Sequence, residues 1–250
     1  MAHLSLILIA FVTGSVVGSF LALLADRWPR GEDWVATPSH CTACGHRLGP
    51  AQLMPLVSYV VQRGRCIWCG VALPADLWLG ELGGAIVAAI AVARGGDAAG
   101  IAALALFGWA MVLLALLDAR HLWLPDAITL PLILLGLGAV WVLPHVDLLE
   151  RAAGGAIGWA ALEALRQVYR RWRGREGMGG GDPKLLAAIG AWLGIAALPT
   201  VVLGAALFGL GWAGIQAMRG RPAGGTAPIP LGTMLALAAL AWLGAYPLIN

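Results

Sequence analysis

The chain has 250 residues, of which 60% are hydrophobic and only 12% are charged, and its mean hydropathy is +0.83. This number of charged residues is too small to cover the surface of a water-soluble domain. The composition therefore excludes the ordinary soluble classes and indicates a membrane protein. The net charge of +3 does not point to a nucleic-acid partner, because no basic surface is interleaved with stacking aromatic residues.

Apolar stretches recur along the whole chain. A spanning helix needs about 20 mostly apolar residues, and eight stretches approach this length, at 4–24, 77–94, 98–118, 126–143, 150–168, 185–198, 200–218 and 230–249. We therefore predict an all-α, polytopic membrane helix bundle of about eight spans. The first stretch lacks a basic region before it and a small-residue cleavage pattern after it, so we expect it to be a retained anchor rather than a signal peptide.

The distribution of basic residues predicts the orientation. If the N-terminus lies outside and the spans alternate, 14 of the 16 lysines and arginines fall in cytoplasmic loops, and only Arg94 and Arg151 do not. Basic residues prefer the cytoplasmic side of a membrane. This asymmetry therefore predicts that both termini lie outside.

A polar loop at 25–76 follows the first span and contains all four cysteines, as the pairs Cys41 with Cys44 and Cys66 with Cys69. Two Cys-x-x-Cys pairs can bind one zinc ion tetrahedrally, and four thiolates leave no position open for water. The alternative is two disulfides or free thiols, but a cytoplasmic loop keeps its thiols reduced. We predict a small cytoplasmic zinc-binding subdomain whose metal is structural.

Two acidic residues lie at positions where a negative charge is energetically unfavourable. Glu81 lies one turn inside the second stretch, where it either faces a polar partner or stays hydrated at the interface. Asp118 ends the third stretch, where the helix dipole disfavours a negative charge. A carboxylate placed against stability is a candidate for function. Asp126, by contrast, opens the fourth stretch, where the dipole favours it.

Asp182 follows the three glycines 179–181 and precedes Pro183 and an apolar stretch. An aspartate at this place is a good helix cap, but three consecutive glycines cost chain entropy and indicate a close backbone approach or a moving segment.

The predicted topology puts Asp118 and Asp182 at the same membrane face. Two carboxyl groups in one site hold one proton between them, so one can act as base on a water and the other as acid toward a carbonyl. The dipole argument, with Lys184 nearby, predicts that Asp182 is the ionised partner.

These motifs resemble those of the type IV prepilin peptidases. The run from Gly179 to Asp182, followed by Lys184, resembles the family's Gly-x-Gly-Asp motif, and 118–126 resembles its first aspartate motif. The cysteine pairs and Glu81 also fall where the family has them, and the resemblance covers nearly the whole chain.

The resemblance implies a multi-pass aspartyl peptidase of the bacterial inner membrane. Such an enzyme removes the leader of type IV prepilins or type II secretion pseudopilins at the cytoplasmic face. It implies catalytic roles for Asp118 and Asp182 and supporting roles for Gly179, Gly181, Lys184 and Glu81. It further implies methylation of the new N-terminal residue with S-adenosylmethionine, linked to residues 1–94, while 95–250 form the peptidase core.

Three alternatives remain at this point. The chain could cleave leaders without methylating them, or it could be a non-enzymatic, zinc-bearing scaffold of pilus or secretion machinery. It could also be an intramembrane aspartyl protease of other membrane segments, although such a protease has no need of the cysteine loop. The sequence does not indicate the oligomeric state or choose among pilin substrates.

Overall fold

The computed structural model of the chain describes residues 2–220 and 229–245, and these are helical with no β-strand. The all-α prediction is confirmed. The α-helices are α1 (Ala2–Arg27), α2 (Val57–Val61), α3 (Ala75–Arg94), α4 (Ala98–His121), α5 (Asp126–Gly138), α6 (Leu148–Arg173), α7 (Gly181–Leu193), α8 (Leu198–Met218) and α9 (Leu231–Ala245). Short 3-10 turns occur at Trp28–Arg30, Pro50–Leu53, Ala139–Trp141 and Ile195–Ala197.

Four of the predicted stretches are helices long and apolar enough to cross a bilayer: His3–Arg30, Ala75–Arg94, Ala98–His121 and Ile195–Met218. Two more are apolar but shorter, Asp126–Trp141 and Leu231–Ala245. Among the rest, α7 has only 13 residues and α6 carries several charged ones. The end of the predicted stretch 230–249, and Arg221 of the charge count, lie outside the described residues.

The chain divides into two compact units, Met1–Gly95 and Gly96–Asn250. In the first unit α1 and α3 pack antiparallel with their backbones in contact. A methyl group added at Gly14 would lie 2.5 Å from the Gly84 carbonyl oxygen, and one at Gly18 would collide with the Gly80 carbonyl. Small residues allow this close packing between apolar helices.

In the second unit, α7 is the central helix, and 11 of its 13 residues are buried. It packs against α5 and α6 at the level of the backbone. Gly154 of α6 and Gly190 of α7 face each other so closely that a methyl group on either would collide with the other. Helix α9 packs against both α4 and α8. The N-terminus of α7 is therefore held in place by the core of this unit.

Arg151 is fully buried in the second unit, with 0% of the side chain exposed. Its guanidinium group ties together the C-terminal ends of α5 and α7 and the segment between α5 and α6. It donates at 2.8–3.2 Å to the carbonyls of Gly136, Leu143, Val146, Ala191 and Trp192. Helix ends leave carbonyls unsatisfied, and a cation near them is favourable. This exception in the charge count thus has an internal structural role.

Candidate active site and metal-binding cluster

Asp118 is buried, with 5% of its surface exposed, and it lies in the last turn of α4. Its Oδ2 accepts two hydrogen bonds from Thr233, one from the backbone N–H at 2.6 Å and one from the hydroxyl at 3.0 Å. The same hydroxyl is 3.1 Å from the Ala115 carbonyl oxygen. A side chain that only accepts hydrogen bonds in this way is suited to the carboxylate form.

Thr233 lies in the first turn of α9. The positive end of the α9 dipole therefore faces the Asp118 carboxylate and offsets the unfavourable C-terminal end of α4. Thr233 was not among the predicted site residues, because the dipole of the helix that carries Asp118 gives no information about α9. The available signal was a single hydroxyl residue near the start of an otherwise apolar stretch.

Asp182 is also buried, with 6% exposed, and lies in the first turn of α7. The residue at the N-cap position is Gly180, so the alternative interpretation of Asp182 as the N-cap residue is wrong. Its Oδ2 instead reaches back to accept from the backbone N–H of Gly179 at 3.1 Å. Gly179 thus has a definite contact with the carboxylate.

Leu124 lies close to the backbone beside both aspartates. A methyl group added at Gly181 would lie 2.7 Å from Leu124 Cβ. One added at Gly232 would lie 2.8 Å from Leu124 Cδ1 and 3.0 Å from Asp118 Cγ. The backbones beside Asp182 and Thr233 therefore both approach Leu124 closely, and a side chain at either glycine would require Leu124 or Asp118 to shift.

Asp182 has a strongly perturbed acidity. Burial, and then the negative charge of Asp118, raise its pKa to about 7, while the hydrogen bond from the Gly179 N–H acts in the opposite direction. Burial and the neighbouring charge of Asp118 therefore favour the protonated form of Asp182 up to near-neutral pH. The prediction from helix dipoles assigned the proton to Asp118, whereas the raised pKa of Asp182 points in the opposite direction, because burial and the neighbouring carboxylate act against the dipole.

Lys184 does not pair with Asp182. Its Nζ lies 2.6 and 2.7 Å from the two carboxylate oxygens of Asp126, and both side chains are partly exposed. The pair joins the start of α7 to the start of α5. Exposed pairs of this kind contribute about 1 kcal/mol or less to stability.

Glu81 lies in the first unit and makes two hydrogen bonds there. Its Oε1 accepts from the Ser19 hydroxyl at 2.9 Å, and its Oε2 accepts from the Leu56 N–H at 2.7 Å. Of the two interpretations of Glu81, the structure therefore supports a carboxylate with polar partners. It joins α1, α3 and the loop.

The four cysteines lie together, with their sulfur atoms all within 4.8 Å of one another. Cys41 and Cys69, from different pairs, have their sulfurs 3.9 Å apart. A tetrahedral zinc site with zinc–sulfur bonds of about 2.3 Å places its sulfurs about 3.8 Å apart. All four are free thiols, so the disulfide alternative is wrong and the cluster could hold a metal ion.

Each cysteine pair forms the same turn. The N–H of Gly45 donates to the Cys41 carbonyl at 2.8 Å, and that of Gly70 donates to the Cys66 carbonyl at 2.9 Å. Both glycines have φ near +70°, a conformation that glycine adopts without strain. Such turns point backbone N–H groups at sulfur. The N–H groups of Cys44 and Ala43 lower the pKa of Cys41 to about 6, which favours its thiolate form. Although the Val71 N–H donates a hydrogen bond to Cys69, burial and contacts with the other three thiols outweigh it and raise the pKa of Cys69 to about 11.

The chain matches two protein-family models. Residues 12–94 match the Bacterial Peptidase A24 N-terminal domain, and residues 105–214 match the Type IV leader peptidase family. No solved structure shows significant similarity to the chain.

Several curated proteins are similar over most of their length, and each is named "Prepilin leader peptidase/N-methyltransferase". The protein from Dichelobacter nodosus is 35% identical over 82% of this chain and 69% of its own. The protein from Pseudomonas aeruginosa is 33% identical over 96% of this chain and 91% of its own length. The protein from Burkholderia pseudomallei 1026b is 36% identical over 94% of this chain and 84% of its own length. From these matches, and from a helical membrane fold with two buried aspartates in one unit, the chain belongs to the type IV leader peptidase family.

Proposed function

We propose that this chain cleaves the leader peptides of type IV prepilins or type II secretion pseudopilins, with Asp118 and Asp182 as the catalytic pair. The observation that carries the proposal is the asymmetric environment of two buried carboxyl groups. Asp118 accepts two hydrogen bonds from Thr233, whereas Asp182 has a pKa raised to about 7. One group is suited to be a base and the other an acid at the same pH.

The two groups then divide the reaction between them. The Asp118 carboxylate takes a proton from a water as the water oxygen attacks the scissile carbonyl carbon, and Asp182 donates its proton to the carbonyl oxygen. A neutral gem-diol results. In the second step the C–N bond breaks, Asp118 passes its proton to the leaving amine, and a gem-diol hydroxyl returns its proton to Asp182. Both groups regain their starting protonation states.

The supporting residues act through this pair. Gly179 donates its N–H to Asp182, and Gly181 lets the backbone approach Leu124. We assign Lys184 to holding the start of α7 against α5 through Asp126, and Glu81 to joining the parts of the first unit. Neither residue is given a step in the chemistry.

Zinc fits the cysteine cluster. Cys41, Cys44, Cys66 and Cys69 would be its four ligands, and its role would be structural because four thiolates leave no open position. We propose that residues 1–94, which include this loop, serve N-methylation of the new N-terminal residue, and that 95–250 form the peptidase core. S-adenosylmethionine would supply the activated methyl group. We assign no residue to its binding.

The proposed setting is the bacterial inner membrane, with the aspartate pair at the cytoplasmic face and both termini outside. The support for it is the bias of basic residues to one set of loops.

The test is co-expression with a candidate prepilin and measurement of the product mass, which reports the cut and any added methyl group together. Asp118→Asn and Asp182→Asn should each abolish cleavage. Asp147→Asn is the matched control, because Asp147 is an exposed N-cap that accepts from the Glu150 N–H, and asparagine caps helices equally well.

Each outcome of this experiment selects among the alternatives. A cut product without an added methyl group identifies a peptidase that does not methylate. If both aspartate variants, inserted and folded, still cleave the leader, the proposed dyad is wrong. If the wild type leaves the prepilin intact while pilus assembly still depends on the chain, a scaffold role replaces the enzymatic one.

A further inference from the structure

Residues 53–61 of the cysteine loop present an apolar surface, which we name the 53–61 surface. Val60 is 64% exposed and Val61 is 75% exposed. Leu53, Met54 and Val57 are about half exposed beside them. Five large apolar side chains exposed within nine residues are unusual for a polar loop, since such contiguous patches mark sites of interaction with a partner or a membrane.

Glu81 attaches this surface to the membrane helices. The Leu56 N–H, in the middle of the surface, donates to Glu81 Oε2 at 2.7 Å, and the Ser19 hydroxyl donates to Oε1 at 2.9 Å. The ring of Tyr59 also lies 6.2 Å from that of Trp78, one turn before Glu81 in α3. The 53–61 surface is therefore fixed to a defined level along α1 and α3.

That level lies inside the ends of both helices. Helix α3 has 20 residues, so its length of about 30 Å equals the thickness of the hydrocarbon core. Glu81 is six residues into α3, or about 9 Å from its start, and Ser19 is eight residues from the end of α1, or about 12 Å. A segment bound at this level lies beside the upper acyl chains and not above the membrane.

The backbone at Leu56 is adapted to this attachment. Leu56 has φ +63° and ψ −50°, and the Val57 N–H donates to the Pro55 carbonyl at 2.6 Å across it. This three-residue turn is rare and strained for a residue other than glycine. It frees the Leu56 N–H for Glu81 and starts the short helix α2, which leaves Val57, Val60 and Val61 exposed.

We propose that the 53–61 surface is inserted into the interfacial region of the phospholipid leaflet, with Glu81 as the residue that sets its depth. The apolar side chains meet the upper acyl chains. Arg63 and Arg65, both exposed and directly after the surface, meet the anionic headgroups, which attract basic residues beside a membrane. The cysteine cluster is thereby held against the bilayer between its two anchoring helices.

Photocrosslinking of the full chain tests this proposal. Benzoylphenylalanine is introduced at Val61, the chain is reconstituted in vesicles of phosphatidylcholine and phosphatidylglycerol, and adducts are identified by mass after illumination. The reference position is Arg175, exposed beyond the end of α6. We expect phospholipid adducts at position 61 with at least fivefold the yield at position 175.

Equal yields at the two positions overturn the proposal, and so do adducts at position 61 that join only other segments of the chain or an added prepilin. Glu81→Leu, which is of similar size and removes both hydrogen bonds, tests the depth role. We expect it to lower the lipid-adduct yield at position 61 at least threefold while metal remains bound to the cysteine cluster. An unchanged yield refutes the assignment of Glu81.

Discussion

Replacing Thr233 by valine removes one hydrogen bond from Asp118 with almost no change in side-chain volume. The backbone N–H of residue 233 still donates at 2.6 Å, and only the hydroxyl contact at 3.0 Å is lost. A hydrogen bond to a charged group contributes about 1.5–3 kcal/mol. The single hydroxyl proton is also within reach of the Ala115 carbonyl at 3.1 Å, so we take the lower end, about 1.5 kcal/mol.

This free energy favours the ionised form of Asp118, so its loss makes the base form harder to populate at low pH. One pH unit corresponds to about 1.4 kcal/mol. We therefore expect the acidic limb of the pH dependence of kcat/KM to move to higher pH by about one unit in Thr233→Val. Activity on that limb should fall about tenfold.

The assay is cleavage of a purified prepilin by the chain in detergent micelles, with initial rates measured across the pH range. Thr233→Ser keeps a hydroxyl and should retain the wild-type profile. A loss of activity that is the same at every pH would show that Thr233 acts only through packing, and an unchanged profile would refute its contact with a catalytic carboxylate.

Three further predictions follow from the described contacts. Because the pKa of Asp182 is raised from 3.8 to about 7, its proton is present below that pH, and cleavage should decline as the pH rises through about 7 in the same rate measurements. Cys44→Ser leaves three thiolates and should reduce bound zinc well below one ion per chain, measured by elemental analysis, with faster proteolysis of the 25–76 loop; full metal content would contradict a four-thiolate site. Arg151→Met leaves several buried carbonyls unsatisfied and should lower stability by at least about 3 kcal/mol, seen as a reduced melting temperature in detergent, whereas the exposed Arg173→Met should melt as the wild type does.

At the two aspartates, contacts between helices outweigh the dipole of each helix taken alone. Within its own helix, Asp118 has an unfavourable C-terminal position and Asp182 a favourable N-terminal one. In the folded unit, α9 brings the donors of Thr233 to Asp118, and burial beside Asp118 dominates at Asp182. Contacts between helices distant in sequence override the local field of a single helix.

Lys184 and Arg151 illustrate the same limit for basic residues. Lys184 is two positions from Asp182 in sequence, yet its partner is Asp126, 58 positions away. Arg151 counted as an exception to the charge bias, yet it is buried among carbonyls of three segments. A charge count records the number of basic residues in a loop and contains no information about their partners.

Composition and local spacing by themselves determined that the chain is a helical membrane protein, that its cysteines form one four-thiol cluster, and which aspartates merit attention. These features depend on apolar length and on short motifs, both of which are local. Only the tertiary structure decided that Thr233 donates to Asp118, that burial beside Asp118 raises the pKa of Asp182, and that Glu81 joins a loop to two helices. Thr233 is 115 positions from Asp118, and Asp182 is 64 positions from it. Glu81 is 25 positions from Leu56 and 62 from Ser19. Pairings over such distances in sequence are formed by tertiary packing.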